Sequence, residues 1–275
     1  MRLCLIGQHI AHSPSPAMQQ AALDYYNVPG SYSLRPTRPD ELDSIVQRIR
    51  DGEIDGCNVT EPYKGEMARR CDVLVGDAVA LGAVNTVMLE GDKVTGDNTD
   101  ALGFEMGLSV HRLWPRENCH AVILGAGGAA AACALALSRV PAQEIVIAAR
   151  REEAATALAE RLAFLGNVHA VRWDRAVLRK PLSTATIVVN GTPAGLDYLP
   201  FHPRDLPARC TVADVRYAPR PVDTVTAAEA AHRRGCDGAE MLLYQGMLSF
   251  HRWTQLDPPW SVAREVLYET LDRPQ

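Results

Sequence analysis

Three short clusters near the start of the chain bring hydroxyl, amine, amide and carboxylate groups together. In His12-Ser13-Pro14-Ser15-Pro16, Pro16 suits the first position of a helix and Ser15 its N-cap, since proline lacks an N–H that a helix start would leave unbonded. Two hydroxyls at a helix N-terminus also make an anion site, fit for a substrate carboxylate. Capping explains Ser15 and leaves Ser13 over. Asn58-Val59-Thr60-Glu61-Pro62-Tyr63-Lys64 runs from a strand into a helix that begins near Lys64. The carboxyl end of a parallel strand faces the crevice where ligands bind, although a lone lysine there also reads as a solvated cation. Gly82-Ala83-Val84-Asn85-Thr86 and Gly96-Asp97-Asn98-Thr99-Asp100 add an amide and acids, of which Asp97 and Asp100 also suit caps or turns.

A fourth segment, Gly125-Ala126-Gly127-Gly128-Ala129-Ala130, follows a buried apolar run and opens an alanine-rich stretch. A strand, this G-x-G-x-x-A turn and a helix form the arrangement that a dinucleotide pyrophosphate needs. Gly125 permits the tight turn, Gly127 lets backbone approach the phosphates, and Ala130 lets helix and strand pack closely. The next strand ends Ala148-Ala149-Arg150-Arg151. Two arginines there can clamp an adenosine 2′-phosphate in planar fashion, so NADP is favoured over NAD. Glu152 or Glu153 just beyond them could instead serve a free ribose hydroxyl.

Elements must hold these groups in place, and the pattern of apolar residues supplies them. Strands are expected at 3–6, 31–34 and 56–60, helices at 16–26 and 40–50, helical turns over 64–81, and a hairpin over 83–96 turning at Glu90-Gly91-Asp92. After a helix at 100–113 a new unit starts. It has strands at 121–124, 144–149, 187–190 and 211–215 and helices at 129–138 and 152–164. Helices at 241–253 and 261–271 close the chain. The expected fold is α/β, with an N-terminal α/β substrate domain on a mainly parallel sheet and a Rossmann-type doubly wound dinucleotide-binding domain. The substrate domain is expected to comprise 1–100 with helices from 240–275 packing back, and the dinucleotide domain 101–239.

Bulk properties narrow the partners. The 275 residues are 47% hydrophobic and 22% charged, ordinary for a globular protein. A net charge of -5 offers no basic face for nucleic acid or anionic lipid, so the expected ligand is a small molecule. Seven scattered cysteines without a C-x-x-C pair argue against a disulfide framework and a zinc site. The histidines show no H-x-x-x-H or H-E pattern, and no metal is expected. No signal-peptide core or membrane-length apolar run is found, so a cytoplasmic location is expected; the chain is expected to act as a monomer or homodimer.

Over nearly its whole length the chain resembles the shikimate dehydrogenase family. The resemblance lies in Ser13-Pro14-Ser15-Pro16, Asn58-Val59-Thr60 with Lys64, the segments at 82–86 and 96–100, the glycine turn, Asp214-Val215-Arg216-Tyr217 and Met241-Leu242-Leu243-Tyr244-Gln245, in that order. It implies reversible NADPH-dependent reduction of 3-dehydroshikimate to shikimate. By the family pattern Ser13 and Ser15 bind the carboxylate, and Thr60, Lys64, Asn85 and Asp100 hold the ring hydroxyls and the reacting oxygen. Tyr217 and Gln245 complete the substrate pocket. The same pattern assigns NADP to Gly125, Ala126, Gly127, Gly128, Ala129, Arg150, Arg151, Thr192, Val215 and Gly238.

Hydride transfer from a secondary alcohol leaves a proton on oxygen, so an acid/base must sit there. Lys64 is the candidate, paired with Asp100; the sequence does not divide the proton between them. Two departures bear on the cofactor. Ala149-Arg150-Arg151 stands where many relatives have Asn-Arg-Thr, and Glu240 replaces a common glycine. A relative acting on quinate or an aminated shikimate, with NAD, is the nearest alternative. A non-catalytic nucleotide sensor is the other; loss of Lys64 or Asp100 would mark it, and both are present.

Overall fold

Leu3-Cys4-Leu5-Ile6 is too short and too evenly apolar for a surface helix, and in the computed structural model it lies within strand β1 (Arg2–Gly7). The structure describes residues 1–141 and 144–272. Its chain divides into two compact units, Met1–Gly103 with Leu243–Gln275, and Phe104–Leu242. The last three positions of the expected return segment 240–275 lie outside the described residues.

In the first unit β1 is followed by α1 (Ser15–Tyr25), β2 (Ser31–Pro36), α2 (Leu42–Arg50), β3 (Gly56–Val59), α3 (Lys64–Ala68), β4 (Val73–Leu74), α4 (Asp77–Leu81), β5 (Thr86–Glu90) and β6 (Lys93–Asp97). Helix α2 shows the logic: Leu42, Ile45, Val46 and Ile49 recur at helical spacing and all are buried. The sheet order is β2-β1-β3-β5-β6-β4. Strands β2, β1 and β3 run parallel, while β5 is antiparallel to both β3 and β6; the hairpin from β5 to β6 reverses at Gly91, which has φ 64°. The sheet is therefore mixed. The 64–81 stretch is not continuous helical turns: β4 interrupts it and pairs with β6. Two residues cannot display the alternation that marks a strand. Ile6, Ile45, Ile49, Val59, Met67 and Val87 form the centre of the core.

Helix α5 (Asp100–Val110) carries the chain from the first unit into the second. There follow β7 (His120–Leu124), α6 (Gly128–Leu137), β8 (Glu144–Ala149), α7 (Glu152–Leu162), β9 (Val168–Arg172), α8 (Arg175–Thr184), β10 (Ile187–Asn190), β11 (Thr211–Asp214), α9 (Asp223–Ala230) and β12 (Arg234–Cys236). The order β12-β11-β10-β7-β8-β9, with every pair parallel, is the doubly wound arrangement. The chain starts at β7, walks outward through β9, and returns to β10 on the other side. The winding reverses between β7 and β10, where ligands bind in such sheets.

Elements β9, α8, α9 and β12 extend the expected pattern. The residues of β9 are all half-buried or exposed, β12 has three residues, and α8 carries Pro181 inside it. Each weakens the apolar periodicity that would have revealed the element. Asp174 nevertheless caps α8, accepting from the N–H groups of Ala176 (2.9 Å) and Val177 (3.0 Å).

Helix α10 (Ala239–Thr254) returns the chain to the first unit, where α11 (Trp260–Leu271) packs on α1. No helix among the described residues is long and apolar enough to cross a membrane.

Candidate active site

Lys64 is the first residue of α3, and its carbonyl accepts from Val84 N–H at 3.0 Å. Its Nζ donates to Oδ2 of Asp100, the first residue of α5. The two side chains are 17% and 6% exposed, so the ion pair is largely shielded from water. The other oxygen, Oδ1, accepts from Asn85 Nδ2 at 2.8 Å. The same amide nitrogen lies 3.1 Å from Gln245 Oε1. Four expected residues, Lys64, Asp100, Asn85 and Gln245, are thus joined directly. Thr60 stands just past β3 with its N–H bonded to Ile6 O at 2.9 Å, and its hydroxyl has no hydrogen-bond partner among the described residues.

Asn85 is fixed from behind. Its Oδ1 accepts from Thr99 N–H at 2.9 Å, and its carbonyl accepts from Asn58 Nδ2 at 2.9 Å. Asn58 is buried, takes the Tyr32 hydroxyl on Oδ1 at 2.8 Å, and reaches Ser249 Oγ at 2.9 Å. Tyr32 and Ser249 carry no sequence signal, because each meets Asn58 only through the fold.

The Ser-Pro cluster differs from expectation at one point. Ser15 is not the N-cap but the first helical residue; Pro14 is the N-cap and makes no side-chain capping bond. Ser13 Oγ instead accepts from Ser15 N–H at 3.3 Å, while its own hydroxyl donates to Ser15 Oγ at 3.1 Å. Ser13 does the capping because the two prolines set the chain direction, and the Ser15 hydroxyl is left beside it at the helix N-terminus.

In the second unit, Gly125 has φ 111°, and a Cβ there would lie 2.9 Å from both Gly191 O and Thr192 Cγ2. Glycine is required for the conformation and for the close approach of the β10 loop. Gly127 is the N-cap of α6 with no side-chain bond, and nothing lies within 4 Å of a Cβ built on it. Gly128 and Ala129 then begin α6 with bare backbone. The turn, from Gly125 and Ala126 to Ala129, is open on the side where helix N–H groups end, which fits a pyrophosphate. Arg150 and Arg151 follow β8, are exposed, and form no guanidinium hydrogen bond or ion pair among the described residues.

Thr192, Val215 and Gly238 share one frame. Asn190 Oδ1 accepts from Thr192 Oγ1 at 2.7 Å, and Asn190 O accepts from Val215 N–H at 3.0 Å. A Cβ on Gly238 would lie 2.1 Å from Val215 O. Val215, Gly238, Asp214, Phe104 and Met241 line a small recess beside this contact. Tyr217 follows in the same unit, and burial pushes its phenol above the ordinary value. Glu240 is buried at the start of α10.

Asp214 carries no expected role of its own from sequence. Its side chain is fully buried and accepts from Arg216 Nη2 (2.7 Å), Asn190 Nδ2 (2.9 Å) and Thr224 Oγ1. The Asp214 carboxylate beside it holds the Arg216 guanidinium above its ordinary value. This buried pair locks the ends of β10 and β11, from which Thr192 and Val215 project. Among the described residues no group of three or more His, Cys, Asp or Glu could hold a metal ion.

The family model described as the shikimate dehydrogenase substrate binding domain matches residues 5–87, and the one described as the shikimate 5'-dehydrogenase C-terminal domain matches 238–268. A shikimate dehydrogenase (NADP(+)) of Dehalococcoides mccartyi is 35% identical over 274 residues, covering 98% of this chain and 95% of that one. The crystal structure of shikimate 5-dehydrogenase from Thermus thermophilus, in complex with NADP(H) and shikimate, superposes with a TM-score of 0.86 at 32% identity, covering 98% of this chain and 100% of that one. Quinate dehydrogenase from Corynebacterium glutamicum, in complex with NAD, gives 0.88 at 29% identity, covering 98% and 99%.

Proposed function

Because the chain belongs to the shikimate dehydrogenase family, we propose that it reversibly reduces 3-dehydroshikimate to shikimate with NADPH. The observation that carries this reading is the shielded Lys64–Asp100 pair with Asn85 on its second oxygen. The first unit takes the substrate and the second the dinucleotide.

Ser13 and Ser15 receive the substrate carboxylate, as hydroxyl donors at the start of α1. Thr60, Asn85 and Gln245 take the ring hydroxyls, and Lys64 and Asp100 meet the reacting oxygen. The dinucleotide lies on the turn from Gly125 to Ala129, with its 2′-phosphate on Arg150 and Arg151 and the rest along Thr192, Val215 and Gly238. When bound, NADPH supplies the hydride to the carbonyl carbon. A Lys64 N–H donates its proton to the oxygen as that carbon is reduced, leaving an amine that solvent reprotonates. In the reverse direction Lys64 removes the hydroxyl proton. Asp100 keeps Lys64 aimed throughout and accepts from a neighbouring ring hydroxyl.

The partners in this reading are small molecules. No disulfide joins the cysteines among the described residues, which favours a reducing compartment, and we place the protein in the cytoplasm as a monomer or homodimer. Initial rates with shikimate and quinate, each with NADP+ and NAD+, test the function. Fastest turnover is expected with shikimate and NADP+. Preference for quinate would overturn the substrate assignment, and preference for NAD+ would overturn the role of Arg150 and Arg151.

A further inference from the structure

A third cation stands at the edge where Arg150 and Arg151 emerge. Arg172 is the last residue of β9 and pairs in register with Ala149, the last residue of β8. Register partners on neighbouring strands are about 5 Å apart and carry their side chains on the same face of the sheet. Ala149 offers only a methyl group there, and the segment that begins at Arg150 follows it directly. Val171 before it in the strand and Trp173 after it both pack against the apolar cluster, which leaves Arg172 the opposite face.

Arg172 is exposed, and its guanidinium makes no ion pair or hydrogen bond among the described residues. Arg150 and Arg151 are in the same condition. Some arginines elsewhere are matched, Arg216 with Asp214 and Asp223, Arg252 with Glu90 and Asp97, and Arg50 with Asp72, while Arg69, Arg116 and Arg179 stand singly on the surface; what sets these three apart is that they gather at one sheet edge. Three unmatched guanidinium groups on the carboxyl ends of two adjacent strands repel one another unless an anion joins them. Strands β8 and β9 follow β7 outward in the sheet, so a dinucleotide anchored on the α6 N-terminus lays its adenosine ribose across this edge.

We propose that Arg172 is a specificity-determining residue, a third guanidinium on the adenosine 2′-phosphate. The proposal rests on the NADP reading above. A phosphate monoester carries close to two charges and several acceptor oxygens, enough for more than one planar fork at once.

Calorimetric titration of the full chain with NADP+, NAD+ and adenosine 2′,5′-bisphosphate tests it, using Arg172→Ala and Arg172→Lys beside Arg150→Ala. Arg172→Ala is expected to weaken NADP+ and the bisphosphate about tenfold or more and to leave NAD+ unchanged. Arg172→Lys should recover part of the loss, since it keeps the charge but not the fork. Equal weakening of NADP+ and NAD+, or none for NADP+, overturns the proposal. Should Arg150→Ala abolish the preference for NADP+ while Arg172→Ala leaves it intact, the proposal fails and the NADP reading stands. A wild-type chain that binds NADP+ and NAD+ alike overturns both.

Discussion

Lys64 meets Asp100 across 36 positions of chain, each as the first residue of its helix. The contact joins the strand-to-helix turn after β3 to the turn after β6, and it leaves Asp100 with one oxygen for the ammonium and one for the Asn85 amide. Lys64→Ala removes the proton donor, and Asp100→Asn removes the carboxylate charge that holds the Lys64 ammonium. Each substitution is expected to lower kcat about 10²- to 10⁴-fold, with NADP+ affinity retained in a separate titration. Near-normal turnover in either variant would remove that residue from the chemistry.

Ser13 and Ser15 should act on binding rather than on the chemical step. A hydroxyl bonded to a charged group contributes about 1.5–3 kcal/mol, so Ser15→Ala is expected to raise the KM for shikimate about tenfold or more. Ser13→Ala should do the same and also loosen α1, since Ser13 Oγ holds Ser15 N–H. Steady-state kinetics that show kcat falling while KM stays constant would place these serines elsewhere in the cycle.

Two glycines of the cofactor unit should respond in opposite ways. At Gly238 a Cβ would strike a carbonyl 2.1 Å away, and backbone cannot step aside cheaply. Gly238→Ala is expected to cost about 1–3 kcal/mol or more and to lower the thermal unfolding midpoint. At Gly127 the space is open and φ is -80°, so Gly127→Val should leave the midpoint unchanged yet weaken NADP+ binding by blocking the phosphate approach. Equal melting losses in the two variants would contradict the geometry.

Asn58 supports the site through its bonds to Asn85, Tyr32 and Ser249. Asn58→Leu strands the Tyr32 hydroxyl inside the first unit, an expected cost of about 1–3 kcal/mol, and takes from the Asn85 carbonyl one of its two donors, leaving Val59 N–H at 2.8 Å. Urea denaturation should show the loss, and a stability equal to wild type would mean that water replaces the amide.

Burial pushes the thiols of Cys119 up to about 11 and of Cys210 and Cys236 up to about 12, from 9.0. The folded chain keeps these thiols protonated where the unfolded chain would ionise them. Their stabilising effect is complete below pH 9 and is lost as pH rises towards 12. The urea midpoint should therefore fall between pH 9 and 12, less steeply in Cys210→Ala. An identical slope in that variant would assign the alkaline loss to other groups.

What can be read from sequence follows the range of the forces involved. The glycine turn is legible because a bare backbone, a preceding strand and a following helix are all local requirements. The Lys64, Asn85 and Asp100 segments are recognisable in their order along the chain, but their meeting depends on the mixed sheet that brings β3, β5 and β6 side by side. Ser15 lies one position from its expected place, since Pro14 and Pro16 both compete to start the helix. The Asn190–Asp214 bond and the Asn58–Ser249 bond span 24 and 191 positions, and no spacing rule reaches that far. Strand β9 stays hidden because a half-exposed edge has no strong apolar alternation, and Arg172 stays hidden with it.

Helices α5 and α10 carry the chain out of the first unit and back, with Phe104–Leu242 continuous between them. For a ribosome that reads from the amino end, this sets a timetable. The second unit has all its residues before the first unit does. Lys64, Asn85 and Asp100 are made early and wait, because Gln245 and Ser249, which bond to Asn85 and Asn58, are among the last to arrive. A nascent chain can thus shape its nucleotide cradle while its polar centre is still missing two members, and competence comes with the closing helices.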